Sequence, residues 1–444
     1  MRGHGHDRVS PTRVLDGPRL LLILLACLPA LLVPSLVFGA PRVVAQPWMH
    51  AEGVGGAWAP QTSGTGAKLY TVSFPDATHG WTVGDGGKIL HTSNGTTWTE
   101  QVSGTGQNLQ GISFADTTHG WACGGGGVIV HTCNGATWTA QASGTGVLLN
   151  AVASTDASHC WAVGTLGVMR GTTDGGTQWS PQSSFTTETL EAVDFGSATH
   201  GWAVGTGGVI VHTVNSGGNW SSQSSGTKMN LFGVAFPDAT RGWAVGQAGT
   251  ILHTANGGTT WSPQDSHSAL NLFGVAFTDA MHGWAVGLGT AGLMTSDGGT
   301  TWAPLSSGTL QQLDGVAFPD ATRGWAVGSA GTIVRFDAAA TTITIKASAA
   351  TTYVGKTPIL SGGVSPAGMV GNNIVVYVKR PGKSYWTYSS NRTVYDLGGR
   401  ASWQYKYYFR PGMPKGYYTF KAVVPAGHGF LTAVSQTTAS IRLR

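Results

Sequence analysis

Two tryptophan series run through the chain in a near-constant step. The first is Trp81, Trp121, Trp161, Trp202, Trp243, Trp284 and Trp325, each after glycine except Trp161. The second is Trp58, Trp98, Trp138, Trp179, Trp220, Trp261 and Trp302. Steps of 40 or 41 residues mean one supersecondary unit copied seven times. The period, the glycine-rich turns and the lack of helical patterning predict four-stranded propeller blades.

The phase of the two series predicts how the ring closes. Trp58 lies 23 residues before Trp81, and every later interval of that kind is also 23. The last unit, around Trp325, has no second tryptophan after it. Its fourth strand is therefore expected at Ala57-Trp58-Ala59-Pro60-Gln61, near the N-terminus. A ring closed in this way leaves no open sheet edge.

One unit shows the expected strands. Leu272–Phe277 alternates and should be the innermost strand, A. Gly283–Gly287 reads as strand B, Ala291–Thr295 as C and Thr301–Leu305 as D. Pro304 is tolerable on an outermost edge strand. The C-to-D turn reads Thr-x-Asp/Asn-x-Gly-x-x-Trp at Thr172 to Trp179, Thr213 to Trp220, Thr254 to Trp261 and Thr295 to Trp302. The copies ending at Trp98 and Trp138 are one residue shorter, which explains the steps of 40.

This turn resembles the Asp-box of sialidase-type propellers. The wider unit, Phe-x-Asp-Ala-Thr-His-Gly-Trp-Ala-Val-Gly, is similar to repeats of the photosystem II stability/assembly factor-like family. The resemblance covers roughly residues 57–337. It implies a propeller fold and an assembly or stability factor for a membrane complex, in a family whose binding surface is arginine-rich. This propeller has only Arg170, Arg241, Arg323 and Arg335. Fold by itself does not settle function.

The chain is expected to be all-β: a seven-bladed β-propeller (residues 57–337) closed by an N-terminal strand, followed by a small β-sandwich (residues 341–444). Residues 1–45 read as an export signal, with Arg2, Arg8, Arg13 and Arg19, an apolar run over residues 20–40, and Val43-Val44-Ala45 before Gln46. That run is also long enough to remain as a membrane anchor, the one membrane contact expected. Leu24-Leu25-Ala26-Cys27 is a lipoprotein-box match. An extracellular or cell-surface location by the general secretory route follows.

After Ala338-Ala339-Ala340 the period stops, and short alternating strands are expected at residues 342–346, 374–379, 402–408, 417–423 and 439–443. The stretch from Val375 to Trp386 resembles bacterial Ig-like domains of surface proteins. Charge divides between the two parts. Residues 46–340 hold 7 Lys+Arg and 17 Asp+Glu; residues 341–444 hold 13 Lys+Arg and one acid, Asp396. A basic module of this kind suits an anionic partner. Lys379, Arg380, Lys383, Arg392, Lys406 and Arg410 are the candidates for associating with an envelope polymer. No nucleic acid is expected for an exported chain, and a monomer is expected.

Catalysis finds little support. The Asp-box resemblance raises a glycan hydrolase, which needs clustered arginines and a tyrosine nucleophile or a close carboxylate pair. The arginines occupy repeat slots that hold histidine elsewhere, Tyr70 is the propeller's one tyrosine, and Glu188 with Glu191 is the one near acid pair. The histidines at positions 79, 119, 159, 200 and 282 stand one per blade, too far apart for one ion. No metal or cofactor is expected. Cys123, Cys133 and Cys160 are an odd set; buried hydrophobes or a Cys133–Cys160 bridge are both open.

Function should lie where the units differ. In up-down blades the D-to-A and B-to-C connections share one face with the channel mouth. The D-to-A candidates are Lys68, Gln107, Asn108, Asn150, Glu188, Glu191, Lys228, Asn230, Asn271, Gln311 and Gln312, with His267 and Asp314 beside them. Asp85 and Gln247 add the B-to-C turns. Such loops on a rigid ring suit a surface protein or glycan ligand.

Overall fold

The computed structural model describes residues 56–289, 291–339, 342–343, 345–349, 351–353, 355–365, 373–384, 387–393, 395–396, 401–424, 433–435 and 439–444. The export signal, its alternatives, Cys27, Tyr385 and Trp386 lie outside them.

Seven four-stranded antiparallel sheets form the blades. Blade 1 comprises Leu69–Ser73, Gly80–Gly84, Ile89–Thr92 and Thr99–Gln101. The other blades repeat this order, and the seven A strands pack in a closed circle. Blade 7 takes its fourth strand from Ala57–Gln61, which pairs with Ile333–Asp337. Trp58 faces Phe336 across that pair. In blade 6, strands A and B match expectation, at Leu272–Phe277 and Gly283–Gly287. Strand C starts one residue late, at Gly292, and D is confined to Ala303–Pro304.

The core lies between blades. Each strand-B tryptophan is fully buried and reaches the next blade. Trp81 stacks on Phe114, Trp202 on Phe236 and Trp325 on Phe74, with ring centroids 3.7, 3.5 and 3.7 Å apart. Each such ring contributes about 1.5–3 kcal/mol by burial. The phenylalanine also explains the glycine before tryptophan. A Cβ on Gly80 would meet the Phe74 ring at 2.2 Å. Blade 3 changes both partners at once: Ser154 stands where the other blades have phenylalanine, and Cys160 stands where they have glycine. The thiol fits where the ring is absent. Cys123 and Cys160 are both buried in the joint of blades 2 and 3, and burial pushes both thiols up. All three described cysteines are free, so the Cys133–Cys160 bridge does not form.

A second lock joins the outer strands. Gln141 of blade 2 accepts the Trp179 indole N–H at 3.0 Å and donates to the Gly175 carbonyl at 2.8 Å, both in the turn and strand of blade 3. Gln61, Gln101, Gln182, Gln223 and Gln264 accept from the equivalent tryptophan at the other joints. The joint of blades 6 and 7 differs. Leu305 replaces the glutamine and is buried with Trp58, Phe318 and Phe336. No C-to-D turn joins the strands of blade 7, so the closing joint is apolar.

Residues beyond the propeller form two sheets around one core. One contains Ile359–Ser365 and Ala401–Lys406; the other contains Asn373–Lys379, Gly416–Val424 and Ala439–Leu443. Leu360 and Trp403 of the first meet Val376, Phe420 and Ile441 of the second. Four of the five expected strands fall within a few residues of prediction. The first is split into Thr342–Ile343 and Lys346–Ala347. Ile359–Ser365 and Thr387–Thr393 were missed because their serine- and glycine-rich runs lack apolar alternation.

Candidate functional site

Every A strand opens with a buried leucine set opposite the last glycine of strand B, as Leu69 faces Gly84. The register then skips one residue in all seven blades. A bulge of this kind re-aims one side chain out of the ladder. The seven displaced residues are Tyr70, Gln110, Asn150, Glu191, Phe232, Phe273 and Asp314, and all line the central bore. The bore encloses about 530 Å³. The leucine is constant and its neighbour varies, so one repeated scaffold presents a ring that is not repeated.

The ring has two arcs. On the polar arc, Lys68 Nζ lies 3.0 Å from Asp314 Oδ1, and Gln312 Nε2 donates to the same oxygen at 2.6 Å. The Lys68 ammonium also stands 4.8 Å from the Tyr70 ring centre. Tyr70 donates its hydroxyl proton to Asp85 at 2.7 Å; burial and that carboxylate push its pKa up to about 12. Asn150 Nδ2 donates to Glu191 Oε2 at 3.2 Å and to the Leu190 carbonyl at 3.0 Å. Burial raises the carboxyls of Glu191 and Asp314. Asp194 sits further along the wall, partly open to the bore but ringed by protein. Burial pushes it up to about 6, against the pull of the Phe236 N–H, which it accepts at 2.7 Å. On the apolar arc, Phe232 and Phe273 of blades 5 and 6 lie 5.4 Å apart, with Met229, Leu270 and Leu288 exposed on the rim of the same blades.

Of the expected face residues, Lys68, Asn150, Glu191 and Gln312 enter the bore, and Asp85 reaches it through Tyr70. Asn108, Asn230 and Asn271 are held in the frame: their side-chain oxygens accept the N–H groups of Gly86, Gly207 and Ala248 in the preceding blade. Gln247 accepts the Asn230 N–H, and Glu188 accepts the Thr206 hydroxyl at 2.7 Å. Gln107 lies against Gly125; Lys228 and Gln311 are exposed on the rim. Tyr70, Gln110, Asp194, Phe232 and Phe273 were not foreseen. Aligning the repeats on the leucine exposes all but Asp194.

The same face carries a strained pair. Leu166 in the blade 3 B-to-C turn has φ 58° and Phe185 in the following D-to-A loop has φ 56°. The other blades hold glycine, alanine or histidine at these left-handed positions, as at Gly86 and Gly104. Both side chains are largely exposed, at 68% and 74%. The Ser184 hydroxyl donates to the Gly167 carbonyl at 2.6 Å, so the two loops are neighbours.

On the opposite face the polar groups serve turns. Asp76 accepts the N–H groups of Thr78 and His79, and its other oxygen lies 2.9 Å from His79 Nδ1. Asp116, Asp156 and Asp279 repeat the arrangement. The Asp-boxes act likewise: Asp174 takes the Thr172 hydroxyl and the Gln178 N–H. Among the described residues no group of three His, Cys, Asp or Glu side chains could hold a metal. The arginines do not converge: Arg170 donates to the Ser143 and Gly144 carbonyls, Arg241 pairs with Asp238, and Arg335 with Asp337. Glu188 and Glu191 take separate partners.

In the two-sheet region, Arg380, Lys406 and Arg410 share a groove of about 700 Å³ with Tyr405, Tyr407 and Tyr408. Lys379 and Lys383 lie outside its lining, and the Arg392 side chain is outside the described residues.

These features define an Asp-box type seven-bladed β-propeller. Its repeats are similar to those of the photosystem II assembly factors: the family model described as photosynthesis system II assembly factor YCF48 matches residues 52–142 and 136–229. Among solved structures, "YCF48 bound to D1 peptide" is 20% identical with a TM-score of 0.54, over 63% of this chain and 94% of that one. YCF48 from Cyanidioschyzon merolae is 22% identical with a TM-score of 0.54, over 63% and 98%. The WD40 propeller domain of Doa1 is 12% identical with a TM-score of 0.54, over 63% and 95%. At these identities the structural matches establish the fold. No curated protein matches the chain.

Proposed function

We propose that this protein is an exported, non-catalytic binding platform whose channel face engages a protein partner. The observation that carries this reading is the ring of seven side chains, of six different types, presented by one repeated bulge. Variation there, on a frame whose repeated turn residues are bonded within their own turns, is the pattern of a recognition surface. The solved YCF48 relative bound to a D1 peptide lends support for a polypeptide ligand. The groove of Arg380, Lys406 and Arg410 would hold the protein to an anionic envelope polymer.

A photo-cross-linking residue at Phe232, compared with one at Thr300 on the opposite face, tests the first part. Protein adducts at Phe232 alone support it; equal adducts at both positions reject it. Sedimentation with envelope tests the second. Salt-sensitive binding should be lost when Arg380, Lys406 and Arg410 are changed to glutamate, and unaltered binding would reject the tether. The repeat likeness favours a second reading, an assembly factor for a membrane complex. Adducts made with integral membrane subunits would select it.

A further inference from the structure

We propose that the bore accepts a lysine or arginine side chain of the partner polypeptide, with an adjacent apolar side chain seated on Phe232 and Phe273. This deepens the channel-face reading and rests on it.

The charge inventory of the bore comes first. Glu191, Asp194 and Asp314 line it, against one cation, Lys68, which is already 3.0 Å from Asp314. Glu191 meets an asparagine amide and Asp194 a backbone N–H, and neither contact brings a positive charge. The second oxygen of Asp314 is buried without a hydrogen-bond partner. Carboxylates removed from water are unfavourable until a cation or hydrogen-bond donors replace the lost hydration. A guanidinium or ammonium on a long stem supplies both.

Shape decides the rest. A space of about 530 Å³ takes side chains, not a folded domain, so the ligand is a loop or terminus. The acids lie in blades 4 and 7, and the two phenylalanines lie between them in blades 5 and 6. A cation and its apolar neighbour can therefore be met together. Met229, Leu270 and Leu288 extend the apolar side onto the rim. An acidic segment would face the carboxylates and is disfavoured by like charge.

Fluorescence anisotropy with three labelled hexapeptides, centred on Phe-Arg, Phe-Glu and Ser-Arg, tests this on the full chain. The Phe-Arg peptide should bind at least tenfold tighter than either other. Glu191→Gln with Asp194→Asn should remove that preference over Phe-Glu, and Phe232→Ala with Phe273→Ala the preference over Ser-Arg. Asp265→Asn, an exposed acid outside the bore lining, should change nothing. Cooperative melts at or above the wild-type temperature establish folding, and Glu191→Gln alone serves if the double variant is unstable. Equal binding of Phe-Glu, equal loss with Asp265→Asn, or no binding by any peptide overturns the inference. If no peptide binds while Phe232 still cross-links a protein, the ligand chemistry is wrong and the channel-face reading stands.

Discussion

The two faces of the propeller use the same kinds of residue for opposite ends. On the Asp-box face, acids, histidines and threonines repeat from blade to blade, and their polar atoms are taken up by turns. On the channel face, equivalent positions hold tyrosine, amide, acid or phenylalanine. Repetition marks where a side chain holds the frame; variation marks where the frame presents it. The contrast predicts that changes on the first face lower stability, whereas changes on the second leave it or raise it.

The largest effect is expected at the Asp-box side. Gln141→Leu leaves the Trp179 N–H and the Gly175 carbonyl without their shared partner and should destabilise by about 2–4 kcal/mol in denaturant melts. A loss below about 0.5 kcal/mol would break the comparison. Next is the blade 3 exchange. Ser154→Phe alone should clash with Cys160, and Cys160→Gly alone should leave a void. The double variant should recover stability, with a coupling of about 1–3 kcal/mol in a double-mutant cycle. Additive effects would show that the two positions do not touch.

Leu166→Gly and Phe185→Gly should each raise stability, by about 1 kcal/mol, because glycine removes the left-handed penalty where neither side chain packs. Loss of stability would mean that those side chains serve the fold after all. A further effect lies in pH dependence. Burial raises the native Asp194 pKa to about 6, above the unfolded value of about 3.9, so its contribution favours folding below pH 4 and is lost as pH rises through 6. Asp194→Asn should therefore melt higher than wild type at pH 8, and the difference should vanish near pH 4. Asp238 has the opposite sign. Burial alone would raise it, but hydrogen bonds from Thr240 and Arg241 hold it down to about 2. Its contribution is present above pH 4 and lost as pH falls toward 2, so Asp238→Asn should narrow the acid instability of wild type.

The blade count, the strand order and the closing strand at Ala57–Gln61 were legible because tryptophan marks each repeat twice. The glutamine lock was not. Gln61, Gln101 and Gln141 read as ordinary edge-strand polar residues, and their partners lie 34 to 38 positions away. The site was legible in part. Loop variation led to Lys68, Asn150, Glu191 and Gln312, but alternation placed Phe273 inside a regular strand. Its exit into the bore depends on a bulge, and period-two patterning carries no sign of one extra residue.

The closing strand also sets a timetable. Residues 57–61 leave the ribosome early, yet their hydrogen-bonding partner, Ile333–Asp337, emerges only after six blades have been made. Pairing ends so distant is slow, because chain entropy must be lost before the contact forms. Until then blade 7 has a bare edge at Ile333–Asp337, and a second nascent copy carries a matching strand. Translation speed and crowding on the polysome therefore bear on whether the protein closes on itself or exchanges its first strand with a neighbour.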